Sequence, residues 1–311
     1  MKPDEQWPTA GVWLPARVYD LAATLNSGQA FRWRQYGDFW IGVVGRYHVR
    51  LKQWPDAISA ETNSKIKDWD WVPHYLQTDV DLEKILETFS DDEPMNRAVA
   101  ACRGLRILRQ EPWECLASFI LSATKQIVQI RQIVAQLCDC FGEEIPTCNF
   151  SFPEPQPSNN GENSKSPKRL DDLSHAFPSA ERIAGLTEKD LRDCRMGFRA
   201  PNLLAAAQHI ADGKLDLETL RHKSYQEARV ELMKLRGVGE KIADCVLLFA
   251  YGFDSAFPVD VWVERALRTL YFPRRRVNEK TLLKFAATHF GPHAGYAQQY
   301  LFHYMRTCHE S

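Results

Sequence analysis

The sequence predicts an α+β protein: a small antiparallel sheet domain over residues 1–90, followed by an all-helical domain over residues 91–311. Two observations carry this. Short runs rich in aromatic and β-branched residues, broken by the turn signals Gly37-Asp38 and Gly45-Arg46, are confined to the first part of the chain. From about residue 91 the apolar residues recur at helical spacing, with helix starts and breaks between the runs.

Taken in order, the strand candidates are Gly28 to Arg34, Phe39 to Val44 and Tyr47 to Leu51, and Asp79 to Ser90 reads as an amphipathic helix. Asp92-Glu93-Pro94 is a helix start, because an acidic cap precedes a proline at the first turn. Pro112-Trp113-Glu114 opens a long apolar helix through Ser122, and another runs from Ile127 to Phe141. Residues 151–168, rich in Pro, Ser, Asn and charge, read as a flexible surface insertion. Helices resume over Ser179 to Ala184, Glu188 to Cys194 and Ala200 to Gly213, with Gly197 as a candidate cap. Gln226 to Leu235 and Lys241 to Phe249 form a pair, followed by Val261 to Tyr271 and Glu279 to Phe290. Gly291-Pro292 breaks the chain before a last helix from Ala294 to about Thr307. No internal repeat is visible.

With 44% hydrophobic and 25% charged residues, the 311-residue chain has the composition of a soluble globular protein of one to three domains. Its net charge of −1 argues against a protein that coats nucleic acid non-specifically, and leaves local basic patches at Arg274-Arg275-Arg276 and Lys165 to Arg169. None of the eight cysteines forms a Cys-x-x-Cys pair, so reduced thiols are expected. Cys308 is the only cysteine after Asp260, which leaves no room there for a four-cysteine iron–sulfur loop. Neither a signal peptide nor an apolar run of membrane-spanning length is present, so an intracellular soluble protein is expected, in cytoplasm or nucleoid if bacterial and in the nucleus if eukaryotic.

The stretch that carries chemistry is Leu235-Arg236-Gly237-Val238-Gly239-Glu240-Lys241, with Cys245 beyond it and Pro258-Val259-Asp260 further on. Two helical patterns meet at Gly237-Val238-Gly239, a joint too short for an ordinary loop. Glycine supplies positive backbone torsions and lets another backbone approach closely. The first amides of the second helix are unpaired and its dipole is positive there, which suits a phosphate: a helix-hairpin-helix that grips backbone without reading bases. Lys241 lies in that first turn, where the dipole disfavours the ammonium form. A neutral amine can attack C1′ of a nucleotide, and Asp260, nineteen positions on, can stabilise the cationic sugar. Each feature also has a plainer account: Gly-x-Gly is a common helix joint, most lysines are solvated, and Asp260 can be an N-cap.

The joint pattern Leu-x-Gly-Val-Gly-x-Lys-x-Ala-Asp-Cys with Pro-Val-Asp resembles the helix-hairpin-helix DNA glycosylases that also cleave the abasic strand. Gly28 to Arg34, Gly104 to Cys115 and Gly291 to Gln298 resemble segments of the 8-oxoguanine DNA glycosylase/lyases, so the likeness spans about residues 12–307 apart from the insertion. It implies a cleft between the sheet and helical domains, with Lys241 as Schiff-base nucleophile and Asp260 as the stabilising carboxylate. Cys245 and Phe302 would sandwich an extruded base, Gln298 would bond its Watson–Crick edge, and the Gly28 carbonyl would meet N7–H of the lesion. That last role is physically sensible, because normal guanine has a bare acceptor at N7, and only a residue without a side chain lets the backbone come so close. The resemblance also implies Gly237, Val238 and Gly239 on the DNA backbone, Phe198 as a wedge in the base stack, and Arg199 on the orphaned cytosine.

Three departures stand out. Thr124-Lys125-Gln126 replaces a run of asparagines that fills the vacated stack, Gln129 replaces a cytosine-reading arginine, and Trp262 replaces a phosphate-binding histidine. Glutamine pairs with several bases, so relaxed selectivity for the base opposite the lesion is expected. Lys125 is a replacement cation for the gap or the backbone. The resemblance thus implies a monomeric glycosylase/lyase acting on duplex DNA with a damaged purine. It would need no cofactor, though the hairpin could take a monovalent cation. An alkylated-purine glycosylase, which generally lacks the lysine, an iron–sulfur glycosylase and a non-catalytic helix-hairpin-helix module are the competing readings.

Overall fold

A computed structural model of the protein describes residues 11–62, 64, 66–146 and 173–308. The insertion at 151–168 and the basic stretch Lys165 to Arg169 lie outside the described residues.

The sheet has five antiparallel strands, β1 Gly11–Pro15, β2 Trp33–Tyr36, β3 Phe39–Val44, β4 Tyr47–Gln53 and β5 Ala57–Thr62, in the order β1-β5-β4-β3-β2. The expected turns at Gly37 and Gly45 join β2 to β3 and β3 to β4, both glycines taking positive φ. Gly42 on β3 is paired with Trp33, and a Cβ there would lie 2.5 Å from the indole, so the sheet's most buried tryptophan requires that glycine. Trp33, Trp40, Leu51 and Ile58 face a core shared with α1 Leu21–Asn26 and α2 Trp71–Leu76. The opposite face of β3 is also covered, because Ile41 and Val43 pack on Ile145, Leu173 and Ala176.

Two expectations are corrected here. Residues 28–32 are irregular rather than the start of a strand, since the Gln29 carbonyl and side chain are taken by Arg106, Leu108 and Gln110 instead of a ladder. The helix expected over Asp79 to Ser90 is only the single turn α3 Leu82–Leu86, because the Asp81 carboxylate accepts from Lys84 N and fixes the start one residue later.

The helical part comprises α4 Glu93–Ala101, α5 Pro112–Ser122, α6 Ile127–Phe141, α7 Ala180–Ala184, α8 Glu188–Asp193, α9 Ala200–Ala211, α10 Tyr225–Met233, α11 Glu240–Val246, α12 Val261–Ala266, α13 Glu279–His289 and α14 Ala294–Cys308. Its starts follow their caps: Asp92, Ser179, Thr187, Ser224 and Asn278 each accept from the N3 amide. Helix α5 is buried on nearly every side, as its continuous apolar run requires, and is the axis on which α6, α9 and α11 pack. Gly197 does not cap α8. Arg195 takes the left-handed conformation after that helix, and Gly197, at φ 59°, opens the single turn Gly197–Arg199 that leads into α9.

Candidate active site

The joint between α10 and α11 is built as the glycines require. Gly237 sits at φ 80°, and a Cβ on it would lie 2.3 Å from the Asn202 amide on α9. Gly239 is extended, with nothing within 4 Å of the place its Cβ would occupy, so that face is open to an incoming backbone. No side chain caps α11, whereas Val238 is buried and pins the turn. Asp244 locks the two arms together: it accepts from Tyr225 Oη at 2.7 Å and Arg229 Nε at 2.8 Å, and Arg229 also reaches Glu240 at 3.0 Å. Lys241, in the first turn of α11, is half-buried.

The two oxygens of Asp260 are placed differently. Its Oδ1 accepts from the amides of Trp262 and Val263 at 3.0 and 2.8 Å and so caps α12. Its Oδ2 takes no hydrogen bond among the described residues. Burial pushes the carboxyl above its ordinary value, opposed by the Val263 amide, the Lys241 ammonium and the Trp262 amide. The Cys245 thiol, one helical turn beyond Lys241, is pushed up to about 12 by burial, again against the pull of Lys241. It is therefore a neutral packing surface rather than a competing nucleophile.

These groups line a cleft of about 960 Å³ between the loop that follows α1 and the helices. Gly28, Gln298 and Phe302 line it too, as do Thr124, Lys125 and Trp262. Gly28 sits at φ 76°, and a Cβ on it would lie 2.7 Å from Ile127 Cδ1 and 3.4 Å from the Phe302 ring. Gln298 is buried with its Oε1 unpartnered, an arrangement that costs about 1–3 kcal/mol until an outside donor fills it.

Gln129, Phe198 and Arg199 do not line the cleft. Gln129 is exposed in the first turn of α6, where its Oε1 accepts from Gln126 N at 3.2 Å. Phe198 is 58% exposed, and the Arg199 guanidinium lies 4.2 Å above its ring. Arg199 itself is buried, donating to the Ala123 carbonyl and, at 2.7 Å, to Thr124 Oγ1. The wedge turn and the Thr124–Gln126 segment are thereby tied into one surface, with Thr124 itself at φ 58°.

Residues 12–116 match the family model described as the 8-oxoguanine DNA glycosylase N-terminal domain, and residues 117–289 match that of the HhH-GPD superfamily base excision DNA repair proteins. The chain belongs to the 8-oxoguanine DNA glycosylase family. It is 33% identical to a probable N-glycosylase/DNA lyase of Methanothermobacter thermautotrophicus, over 94% of this chain and 95% of that one. An N-glycosylase/DNA lyase of Arabidopsis thaliana is 28% identical over 93% of this chain and 79% of its own length. The Clostridium acetobutylicum 8-oxoguanine glycosylase/lyase, solved with duplex DNA carrying cytosine opposite the lesion, superposes with a TM-score of 0.80 at 30% identity, covering 94% of this chain and 93% of that one.

Two parts of the glycosylase site escaped the sequence reading. Asp244 belongs to the quoted motif but received no role; the only signal was a carboxylate on an otherwise apolar helix face. The stacked pair Phe119 and Phe249, 5.5 Å apart, with Phe31 edge-on to Phe119, forms an aromatic cleft wall from three distant segments. Among the described residues of this glycosylase no three His, Cys, Asp or Glu side chains converge as a metal site, and no helix is long and apolar enough to cross a membrane.

Proposed function

We propose that this protein excises 8-oxoguanine from duplex DNA and then cleaves the abasic strand, with Lys241 as nucleophile and Asp260 as its carboxylate partner. The observation that carries the reading is the meeting of Lys241, Asp260, Gly28 and the unpartnered Gln298 Oε1 around one cleft. The Lys241 ammonium gives up a proton to solvent and its amine attacks C1′, the bond from C1′ to N9 breaks, and its electron pair leaves on the base, which takes up a proton from solvent. Asp260 Oδ2, spared by the cap, faces the positive charge that develops on the sugar. Loss of a proton from nitrogen and opening of the sugar give the Schiff base. β-Elimination then removes a C2′ proton and expels the 3′ phosphate.

Base extrusion costs a few kcal/mol, offset by stacking between Cys245 and Phe302 and by donation from the base's Watson–Crick edge to Gln298 Oε1. The Gly28 carbonyl attracts the N7–H of the lesion and repels the bare N7 of guanine. The open amides at Gly239–Lys241 take a backbone phosphate, with Trp262 beside the strand. Phe198 fills the vacated stack, while Thr124, held by the buried Arg199, and Lys125 face the orphaned base, so that Arg199 acts through that turn rather than on the cytosine itself. Every group invoked comes from one chain, and the lysine–aspartate chemistry draws on no cofactor. A monovalent cation at the hairpin would serve only backbone binding.

The test is borohydride trapping on duplexes carrying 8-oxoguanine opposite each of the four bases. Covalent capture on lesion duplexes, absent with normal guanine, is the expected result. Silence on all four, with binding retained, would return the protein to a non-catalytic hairpin module, and capture only on alkylated purines would move its substrate class. Capture opposite several bases is expected, because Gln129 lacks the cation that would single out cytosine. Gln129→Arg should raise the preference for cytosine about tenfold or more, from one bidentate contact. It should also cost about 0.5–1 kcal/mol of stability, since arginine cannot accept from Gln126 N. An unchanged opposite-base profile would remove Gln129 from the partner strand.

A further inference from the structure

The loop that carries Gly28 is held far more firmly than a turn of its length needs. The Asn26 carbonyl accepts from Arg306, the Ser27 carbonyl accepts from Gln299 Nε2 at 2.8 Å, and the Gln29 carbonyl accepts from Gln110 Nε2 at 2.7 Å. The Gln29 side chain donates to the Thr24 and Arg106 carbonyls at 3.0 and 2.8 Å and accepts from Leu108 N at 2.7 Å. Arg131 reaches Asn26 Oδ1 at 3.4 Å. Ser27 and Gln29 are fully buried and Gln299 is 2% exposed, so each of these polar groups must be paired inside the protein. In this row of four carbonyls only that of Gly28 accepts nothing among the described residues, and Gly28 lies at the cleft wall.

Two of the clamps come from α14, the helix that also supplies Gln298 and Phe302. Gln299 follows Gln298 directly, and Arg306, one turn beyond Phe302, lies 5.6 Å over that ring as well as bonding to Asn26. The reading carbonyl and the two side chains that would hold the base are thus fixed to one rigid body. That matters because telling N7–H from a bare N7 depends on distance. A carbonyl held in place gains a hydrogen bond from one purine and meets a lone pair on the other, whereas a carbonyl free to retreat loses both effects.

We propose that Gln299 and Arg306 are positioning residues that hold the free Gly28 carbonyl at a set depth against Gln298 and Phe302, and so set the discrimination between 8-oxoguanine and guanine. The inference rests on the Gly28 reading given under Proposed function.

Gln299→Met keeps the shape of the side chain and removes its donor. Single-turnover excision of 8-oxoguanine opposite cytosine should fall about tenfold or more, while borohydride trapping on a pre-formed abasic site, which has no base to read, stays within about twofold of wild type. Arg306→Met should act in the same direction, and Arg306→Lys, which restores a donor, should recover most of the loss. A parallel fall on the abasic substrate would mean that α14 is merely damaged and would overturn the inference. Unchanged excision in both methionine variants would overturn it as well. If Gln299→Met does not fold, Arg306→Met, at a half-buried site, carries the comparison alone. Wild-type protein that removes normal guanine as fast as 8-oxoguanine would sink the Gly28 reading itself, whereas a wild-type preference kept intact in the variants sinks only the positioning role.

Discussion

Lys241→Gln is expected to give no covalent product with borohydride and to lower single-turnover excision by about a thousandfold or more, roughly 4 kcal/mol of transition-state stabilisation. The reason is chemical: an amide nitrogen at that position cannot form the iminium that borohydride reduces, nor attack C1′. The structural cost should be small, because Lys241 is half-buried and makes no direct ion pair or hydrogen bond among the described residues. The open amides of the first turn of α11 are backbone groups and survive the change. Lesion-duplex affinity, measured by fluorescence anisotropy, should therefore stay within a few-fold of wild type. Retained trapping would transfer the Schiff base to another amine, with Lys125 in the same cleft as the first to test.

What was readable in the sequence was local. The starts at Asp92 and Ser179 each place a capping residue just before an apolar period, and the helices begin there. The Gly237-Val238-Gly239 joint needed a positive torsion, and Gly237 supplies it. What was not readable depends on partners far along the chain. Strands β1 and β5 pair with each other across more than forty residues, a partnership that no local turn can mark, although Pro55-Asp56 does mark the turn from β4 into β5. Gly28 to Phe31 resembles a strand by composition. The bend over Asn26 to Gln29 is held instead by Gln110, Gln299 and Arg306, from regions about 80 and 270 residues away. Arg199 is similar: expected on the orphaned cytosine, it is buried, with its guanidinium drawn into the Ala123–Thr124 turn, which only the packing of α5 on α9 brings within reach.

The cap is realised on one oxygen of Asp260 and leaves the other for the proposed catalytic role, and a pair of substitutions separates the two. Asp260→Asn keeps an acceptor for the amides of Trp262 and Val263, since asparagine caps about as well as aspartate. It removes the charge that meets the sugar cation, so excision should fall about 10²–10³-fold. Asp260→Ala should lose a similar amount of activity and a further ~1 kcal/mol of stability with the cap. The pH dependence follows from burial. A carboxyl raised above its unfolded value of about 3.9 stabilises the fold fully below that value and loses this contribution as pH rises through the folded one. At neutral pH the buried ionised carboxylate is therefore a burden on the fold, and Asp260→Asn should melt no lower than wild type there, with any advantage gone in acid. Wild-type excision should run the opposite way, failing as pH drops through that raised value, because only the ionised form faces the sugar cation. An asparagine variant that melts well below wild type at pH 7 while keeping its activity would reduce Asp260 to a helix cap.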